Sequence, residues 1–405
     1  MAADETQDQI VVATDHLDHV GRELGERAFT VTDDNRTLGL TLVTLTDSAA
    51  VGRTLTERRA AEAGGPEPTV ASELDRVLAE LRRLFAHRHA GWTPTLGKNR
   101  TLTGVEFKPY THGAGRPVPA AAAPLPVGDD ALRRVAVGLF DTGLTPHRAL
   151  AGAYLADADA LSGPAEERDR LWWEGHATFV AGIIRRYAPS ATLDVRTALR
   201  RVPGGSGEAR WEMPLWRFAE LLAEYQDAGI AVLNLSVGVV TDDGEPPLVL
   251  ERAIAQLTPT MVVVAAAGNH GEPTDGTGAR PAPNAALFPA ALDNVLAVGA
   301  LDATGGPVAA YTPRGAGDTG TAPWIDVFAP GTGVVSTYLG DDAPARVVVE
   351  NDDGSRETDQ FSGWAAWTGT SFATGEITGA VAHRLAQGDA PGEAVAKVRA
   401  AYPRP

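Results

Sequence analysis

Residues 367–376 read Trp-Thr-Gly-Thr-Ser-Phe-Ala-Thr-Gly-Glu and lead into an apolar stripe of helical spacing that includes Phe372, Ile377 and Leu385. The pattern predicts that Ser371 lies at or just inside a helix N-terminus. Unpaired backbone N–H groups and the helix dipole favour a negative charge there. A serine in this position usually caps a helix. A chemical role for Ser371 therefore requires partner residues elsewhere in the chain.

Composition and charge limit the classes of function. The chain has 405 residues, of which 44% are hydrophobic and 21% charged, and this suits one large α/β core with a smaller accessory region. The formal net charge of −17 argues against nucleic acid and anionic membranes as partners. Because there is no cysteine, disulfides, zinc–thiolate sites and thiol nucleophiles are excluded.

The first residues indicate a cellular location. Met-Ala-Ala-Asp-Glu-Thr-Gln-Asp is acidic and lacks the basic start and apolar core of a secretory signal. No run of about 18 apolar residues occurs in the sequence. If the first residue is the native start, we expect a cytoplasmic protein without a membrane segment.

Residues 1–115 are predicted to form a small N-terminal α+β domain. Alternating apolar residues on either side of residues 33–36 predict a β-hairpin. Apolar stripes predict helices at residues 49–63 and 69–89, and a strand is expected at residues 103–107. The proline- and alanine-rich residues that follow are predicted to be an interdomain linker, residues 116–130.

Residues 131–405 alternate short apolar runs with helical patterns, as is typical of a doubly wound, mainly parallel sheet with helices on both faces. Buried strands are predicted at residues 135–140, 192–196, 231–235, 261–266 and 295–298. In such a sheet, ligands bind at the carboxyl ends of the strands. A further hairpin is predicted between residues 337 and 363, shortly before Ser371.

Three polar residues stand where these patterns predict strand ends or helix starts. Asp141 follows the first buried strand, His176 precedes an apolar helical stripe, and Asn269 ends the run Val-Val-Val-Ala-Ala-Ala-Gly-Asn. Taken singly, each is more often a turn residue or a helix-start residue. Together with Ser371, they are the residue types of a serine hydrolase site.

The chain order Asp141, His176, Asn269, Ser371 and the sequences around these residues resemble the subtilisin-like serine proteases, the subtilases (S8-type peptidases). Phe-Asp-Thr-Gly resembles the aspartate motif, Gly-His-Ala-Thr-Phe-Val-Ala-Gly the histidine motif and Gly-Thr-Ser-Phe-Ala-Thr the serine motif. Ala-Ala-Ala-Gly-Asn resembles the oxyanion segment and Asn-Leu-Ser-Val-Gly the substrate-binding strand. The resemblance spans about residue 134 to the C-terminus and implies a serine endopeptidase acting on polypeptides.

The chemistry explains these residue types. A serine hydroxyl is a weak nucleophile at neutral pH, so His176 is expected to take its proton and return it to the leaving amine. Asp141 is expected to orient His176 and stabilise its charged form. The Asn269 side chain and the Ser371 backbone N–H are expected to bind the oxyanion. No cofactor is expected for catalysis.

The resemblance also implies a substrate-binding groove. Ser236, Val237 and Gly238 are expected to pair with an extended peptide as an added strand. One wall of the pocket for the residue before the cut is expected to consist of small residues, which favours an apolar or aromatic residue there. These wall residues are Ala266, Ala267 and Gly268.

The sequence departs from the family pattern at two places. Ala177-Thr178-Phe179 stands where the family usually has Gly-Thr-His, and Gly375 stands where a proline usually follows the serine motif. We expect Gly375 to loosen the first turn of the serine helix, because glycine costs about 1 kcal/mol relative to alanine in a helix. Many relatives bind structural calcium, but no residues here match a calcium loop, so metal ligands stay unknown.

Two questions stay open at the level of sequence. The N-terminal region is either an inhibitory prodomain that is cut off or a permanent regulatory domain that binds a protein partner. The whole chain is a peptidase, a catalytically silent subtilase-like binding or scaffold protein, or a hydrolase of esters that shares the same triad.

Overall fold

The computed structural model describes residues 8–104, 115–129, 131–156, 170–203, 209–241, 243–272, 281–303, 305–315, 320–350 and 356–405. The chain forms two compact units. The first consists of Met1–Thr101 with Pro214–Glu224 and Thr241–Gln256, and the remaining residues form the second. The predicted linker at residues 116–130 stays a prediction.

An antiparallel sheet with three helices forms most of the first unit. Its elements are β1 (Gln9–Ala13), α1 (Leu17–Leu24), β2 (Phe29–Asn35), β3 (Leu40–Leu45), α2 (Ser48–Glu62), α3 (Glu73–Arg88) and β4 (Leu96–Lys98). The strand order is β2-β3-β1-β4, and β1 pairs antiparallel with both β3 and β4. The predicted hairpin and the two longer helices are present, whereas β1, α1 and β4 were not predicted.

Local sequence explains the boundaries of the two long helices. The Asp47 carboxylate accepts the Ala50 N–H at 2.8 Å before α2, and the Ser72 hydroxyl accepts the Asp75 N–H at 3.2 Å before α3. Each side chain satisfies a backbone donor that the helix leaves unpaired. The predicted apolar stripe of α3 is buried, namely Leu74, Val77, Leu78, Leu81, Leu84 and Phe85.

The remaining elements follow in chain order: β5 (Thr101–Gly104), β6 (Val118–Pro119), β7 (Val135–Asp141), β8 (Tyr154–Ala156), β9 (Arg170–Leu171), α4 (His176–Tyr187), β10 (Ala191–Thr197), β11 (Arg200–Pro203), β12 (Ala209–Pro214), α5 (Leu215–Ala223), β13 (Val232–Leu235), β14 (Val237–Val240), α6 (Leu248–Leu257), β15 (Val262–Ala266), β16 (Leu287–Phe288), β17 (Leu296–Leu301), β18 (Val327–Pro330), β19 (Val334–Thr337), β20 (Ala345–Glu350), β21 (Arg356–Phe361), β22 (Trp364–Trp367), α7 (Thr370–Ala386) and α8 (Pro391–Ala401).

Helix α5 and most of α6 belong to the first unit, although they come late in the sequence. The Trp216 backbone N–H donates to Asn99 Oδ1 at 3.2 Å, and its indole N–H donates to Asp33 Oδ2 at 3.0 Å. Arg100 pairs with Asp243 at 2.7 Å. These polar contacts join the N-terminal sheet to α5 and to the loop before α6.

A seven-stranded sheet forms the centre of the second unit, in the order β18-β17-β15-β13-β7-β10-β8. Every neighbouring pair is parallel. Helix α7 packs against α4 and the central strands. The predicted α/β fold class, with a mainly parallel sheet and a small N-terminal α+β region, is confirmed. Each predicted strand matches an observed one within a few residues.

Three smaller sheets complete the second unit. Their strand orders are β11-β12-β5-β14-β16, β19-β22-β6 and β21-β20-β9. The predicted hairpin before Ser371 corresponds to β20 and β21, with β20 lying parallel to β9. The predicted strand at residues 103–107 is observed as β5, and its part after Gly104 lies outside the described residues.

Candidate active site

Asp141 and His176 form a buried hydrogen-bonded pair. Asp141 is the last residue of β7, and His176 is the first residue of α4. His176 Nδ1 lies 2.7 and 2.8 Å from the two carboxylate oxygens of Asp141. The Thr142 N–H donates to Asp141 Oδ1 at 2.7 Å, and the Thr142 hydroxyl accepts the Ala177 N–H at 3.2 Å. The strand end and the helix start are thereby tied together, which fixes the imidazole.

The carboxylate decides which histidine nitrogen is available. Because Asp141 is an acceptor, Nδ1 of His176 carries a proton, so Nε2 of the neutral ring is an acceptor. His176 Nε2 is buried and has no hydrogen-bond partner among the described residues. It is therefore available as a proton acceptor.

Ser371 lies in the first turn of α7, as predicted. The residue that caps this helix is Gly369, and it makes no side-chain capping bond. The Ser371 hydroxyl is fully buried and has no hydrogen-bond partner among the described residues. Capping, the alternative role for this serine, is therefore absent. Phe372 holds the next position, and its ring centroid lies 5.7 Å from that of His176.

Asn269 is held beside the start of α7. Its Oδ1 accepts the Thr370 backbone N–H and the Thr370 hydroxyl, each at 2.9 Å. The Thr370 hydroxyl in turn accepts the Gly268 N–H at 3.2 Å. With Oδ1 occupied, the amide nitrogen Nδ2 is the available end, and it is buried without a partner among the described residues. Such a fixed donor suits an anion at this place.

The predicted substrate-binding strand is paired with the chain itself. Val237 lies opposite Gly104, and Gly238 lies opposite Thr103, in an antiparallel register. Since β5 lies between β12 and β14 in its sheet, a segment of the N-terminal third fills the place of an added strand. Ser236, at the junction of β13 and β14, accepts a hydrogen bond from the Asn234 amide at 3.2 Å.

Phe179, the last residue of the first departure from the family pattern, belongs to an aromatic cluster beside His176. The Phe179 ring lies 4.5 Å from that of Phe372 and 5.5 Å from that of Trp367. Trp173 and Trp367 approach the His176 ring at 5.1 and 5.4 Å. Trp172 and Trp173 are buried as well. The cluster restricts the imidazole to one orientation.

Helix packing explains the second departure from the family pattern, the glycine at position 375. A Cβ atom on Gly375 would lie 3.2 Å from Cγ2 and 3.3 Å from Cβ of Ile183 on α4. One turn later, a Cβ on Gly379 would lie 2.6 Å from Cβ of Tyr187. Glycine at both positions therefore lets α4 and α7 approach closely. These two helices carry His176 and Ser371.

Glu376, the residue after Gly375, is buried and lies between Tyr187 and Tyr402. Burial raises the pKa of this carboxyl, while hydrogen bonds from Tyr187 and Tyr402 oppose the rise. Burial likewise raises the pKa of both tyrosines, so their hydroxyls stay protonated and act as donors. Glu376 therefore connects the serine helix to the ends of α4 and α8.

His270, the residue after Asn269, is fully buried. Its Nε2 lies 2.9 Å from the Ala285 carbonyl oxygen, and burial lowers the pKa of the imidazole.

Ala266, Ala267 and Gly268 lie at and just after the end of β15, and all are buried. Among the residues that the structure describes, no group of three or more His, Asp or Glu side chains could hold a metal ion. No described helix is long and apolar enough to cross a lipid bilayer. The metal ligands therefore stay unknown.

Two residues of the site were missed by sequence reasoning. Thr370 orients Asn269, and Thr142 links the aspartate and histidine segments. Thr142 follows Asp141 and Thr370 precedes Ser371 in the sequence. A threonine next to a catalytic motif residue could therefore have been marked as a candidate that orients the site. The hydrogen bonds themselves depend on distant parts of the chain and have no local signature.

Two curated proteins are similar to this chain over about three fifths of its length. "Thermophilic serine proteinase" from Bacillus sp. (strain AK1) is 28% identical over 264 residues, which are 62% of this chain and 52% of that protein. "Alkaline elastase YaB" from Bacillus sp. (strain YaB) is 29% identical over 254 residues, 61% of this chain and 53% of its own length. The chain thus spans about half the length of these curated relatives.

A solved structure shows the same fold. Fervidolysin from Fervidobacterium pennivorans, a keratinolytic enzyme related to subtilisin, matches with a TM-score of 0.57 and 18% identity. The match covers 94% of this chain and 55% of fervidolysin, so it includes the N-terminal region. Residues 133–402 match the family model described as "Subtilase family". The protein therefore belongs to the subtilase family of subtilisin-like serine proteases.

Proposed function

We infer that this chain is a serine endopeptidase in which Ser371 attacks the scissile carbonyl. The observation that carries this inference is the fixed pair of His176 and Asp141, with Nδ1 held at 2.7 and 2.8 Å and Nε2 buried without a partner among the described residues. Two partner-free groups at the start of α7, the Ser371 hydroxyl and the Asn269 amide, complete the site.

Each residue then has one task. His176 Nε2 takes the Ser371 proton during attack and gives it to the leaving amine. Asp141 keeps the proton on Nδ1 and stabilises the imidazolium that forms. The Asn269 Nδ2–H and the Ser371 backbone N–H donate to the oxyanion. No step requires a metal or a cofactor.

The substrate is proposed to be a polypeptide rather than a simple ester. In the described structure an extended backbone, β5, is already paired with Val237 and Gly238. A strand-shaped slot between β12 and β14 recognises main-chain amides. An ester hydrolase would not need such a slot.

The N-terminal region is proposed to inhibit the intact chain. Thr103 and Gly104 pair with β14, where a substrate strand would bind, and β5 follows β4 closely in the chain, since β4 ends at Lys98 and β5 begins at Thr101. A substrate must therefore displace β5. Self-cleavage in the residues shortly after Gly104 would make the region a prodomain. Without a cut, it would be a permanent regulatory domain that a protein partner could move.

A fluorophosphonate probe tests the proposed nucleophile. We expect the full-length wild type to be labelled on Ser371, with or without brief trimming by an unrelated protease. The Ser371→Ala variant should not be labelled. Ser190→Ala is a suitable control, because the Ser190 hydroxyl donates to the Asp129 carbonyl at 3.1 Å and has no place in the proposed site. No labelling of folded wild type, trimmed or untrimmed, would identify a catalytically silent binding protein.

Intact mass after expression separates the two roles of the N-terminal region. A cut in the wild type that maps between residues 105 and 130, and is absent in Ser371→Ala, supports a prodomain. A wild type that stays uncut while it labels and digests peptides supports a permanent regulatory domain.

A further inference from the structure

Leu287 lies between two segments of the expected substrate groove, the strand expected to pair with the peptide and the small-residue wall of the pocket for the side chain before the cut. It is fully buried in β16. A Cβ atom built on Gly238 would lie 2.7 Å from its Cγ and 2.9 Å from each of its two Cδ atoms. A Cβ built on Gly268 would lie 3.1 Å from its Cδ2. The leucine side chain therefore packs against both β14 and the loop after β15.

His270 occupies the neighbouring space. The Cβ atom built on Gly268 would lie 2.8 Å from Nδ1 and 2.9 Å from Cε1 of the His270 ring. The hydrogen bond to the Ala285 carbonyl at 2.9 Å fixes the ring in this position. The ring therefore cannot swing away without breaking a buried hydrogen bond.

Further packing fixes Leu287 as well. It shares a small apolar cluster with Ala266, against which Val240 and Trp324 pack. In the register of β14 and β16, Leu287 lies opposite Val240. The side chain is therefore held on several sides.

We propose that Leu287 and His270 fill the floor of the pocket for the residue before the scissile bond, so that the enzyme cuts after small residues such as alanine, glycine and serine. This proposal rests on the proposed peptidase function and narrows its substrate class. It differs from the expectation of an apolar or aromatic residue, which considered only the small residues of one wall. That wall is small, but a leucine and an imidazole pack directly against it.

The size of the effect follows from packing. Extra carbon atoms do not fit into a filled apolar site without displacing its side chains, and one methylene in a specificity pocket changes kcat/KM by roughly 10–200-fold. A phenylalanine before the cut would have to displace Leu287 or His270. We therefore expect the wild type to prefer alanine over phenylalanine by about 10-fold or more in kcat/KM.

The test uses chromogenic peptides that differ only in the residue before the cut, which is alanine, leucine or phenylalanine. The expressed protein is used in the form that cleaves peptide, whether uncut, self-cleaved or briefly trimmed, and its active sites are counted by fluorophosphonate labelling. Leu287→Ala removes every side-chain carbon beyond Cβ and should raise the phenylalanine-to-alanine ratio of kcat/KM by about 10-fold or more. His270→Ala should raise the same ratio. Leu193→Ala, a fully buried leucine on β10, is the matched control and should keep the wild-type ratio.

The possible outcomes distinguish failure of the proposed specificity from failure of the proposed peptidase function. A wild type that labels and cuts after phenylalanine as fast as after alanine overturns the specificity while leaving the peptidase intact. A labelled Leu287→Ala enzyme with an unchanged ratio does the same. If the wild type does not label, the peptidase itself is refuted and the specificity falls with it. Where Leu287→Ala is insoluble, Leu287→Val repeats the test with a smaller expected shift.

Discussion

The threonine before the proposed nucleophile provides the sharpest test of the oxyanion site. The Thr370 hydroxyl donates to Asn269 Oδ1 at 2.9 Å and accepts the Gly268 N–H at 3.2 Å. Thr370→Val keeps the shape but removes both bonds. The Thr370 backbone N–H still donates to Oδ1 at 2.9 Å, so the amide keeps one of its two anchors.

Thr370→Val is expected to lower kcat less than removal of the Asn269 side chain does. One net hydrogen bond contributes about 0.5–1.5 kcal/mol, and a buried donor left without an acceptor costs about 1–3 kcal/mol. We expect about 1–2 kcal/mol of this to be lost from the transition state, which lowers kcat by roughly 5–30-fold. Loss of the oxyanion asparagine costs about 10²–10³ in subtilisin, a measured value that we adopt for Asn269→Ala without deriving it.

The assay is steady-state cleavage of a chromogenic peptide, with kcat and KM determined separately. Thr370→Val should lower kcat with little change in KM, because the amide acts mainly on the transition state. Thr370→Ser keeps the hydroxyl and should restore most of the rate. Thr374→Val is the matched control, since the Thr374 hydroxyl donates to the Thr370 carbonyl at 2.8 Å and does not touch Asn269.

Two results would refute this reasoning. One is a Thr370→Val enzyme whose kcat equals that of the Thr374→Val control. The other is a Thr370→Ser enzyme as slow as Thr370→Val, which would show that the methyl group or the helix start matters and the hydroxyl does not.

Three further predictions concern stability. Gly379→Ala should destabilise the fold by about 1–3 kcal/mol in urea unfolding, because the new Cβ would lie 2.6 Å from Cβ of Tyr187; an unchanged midpoint would argue against close helix contact. Arg59→Met should cost about 3–5 kcal/mol, because it leaves the fully buried Glu80 carboxylate, now 2.7 Å from the guanidinium, without its partner. Adding Glu80→Gln should restore part of this loss, and no recovery would contradict the ion-pair explanation. Burial holds the pKa of His270 below its value of about 6.5 in the unfolded chain, so the native state binds fewer protons. Its contribution to stability is complete above about pH 6.5 and is lost as the pH falls below that value. The melting temperature should therefore fall between about pH 7.5 and pH 5.5, and less so in His270→Asn; equal falls would exclude this histidine as a cause.

The sequence was informative wherever the structure repeats a local pattern. Strands β7 and β15 are apolar runs that are almost wholly buried, so they could be located to within a few residues. Asp141 and Asn269 follow directly from those strand ends. The long helices α2 and α3 have capping residues and, in α3, a clear stripe.

The elements that were missed lack such patterns or depend on distant contacts. Helix α1 buries only Val20 and Leu24, so its stripe is too short to recognise. Strand β1 is short and almost wholly buried in its sheet, so it shows no alternation. The position of Leu287 between two glycines depends on three chain segments that meet only in the folded protein. The burial of His270 depends on the same convergence.

The pairing of β5 with β14 determines how the proposed inhibition would depend on protein concentration. As part of the same chain as β14, β5 competes with substrates at an effective concentration of the order of millimolar, whatever the total protein concentration. Diluting the intact protein therefore should not activate it. Once the connection after Gly104 is cut, the same strand becomes a separate molecule whose occupancy follows ordinary mass action. Dilution then becomes an activating signal, and a single covalent bond decides which of the two regimes applies.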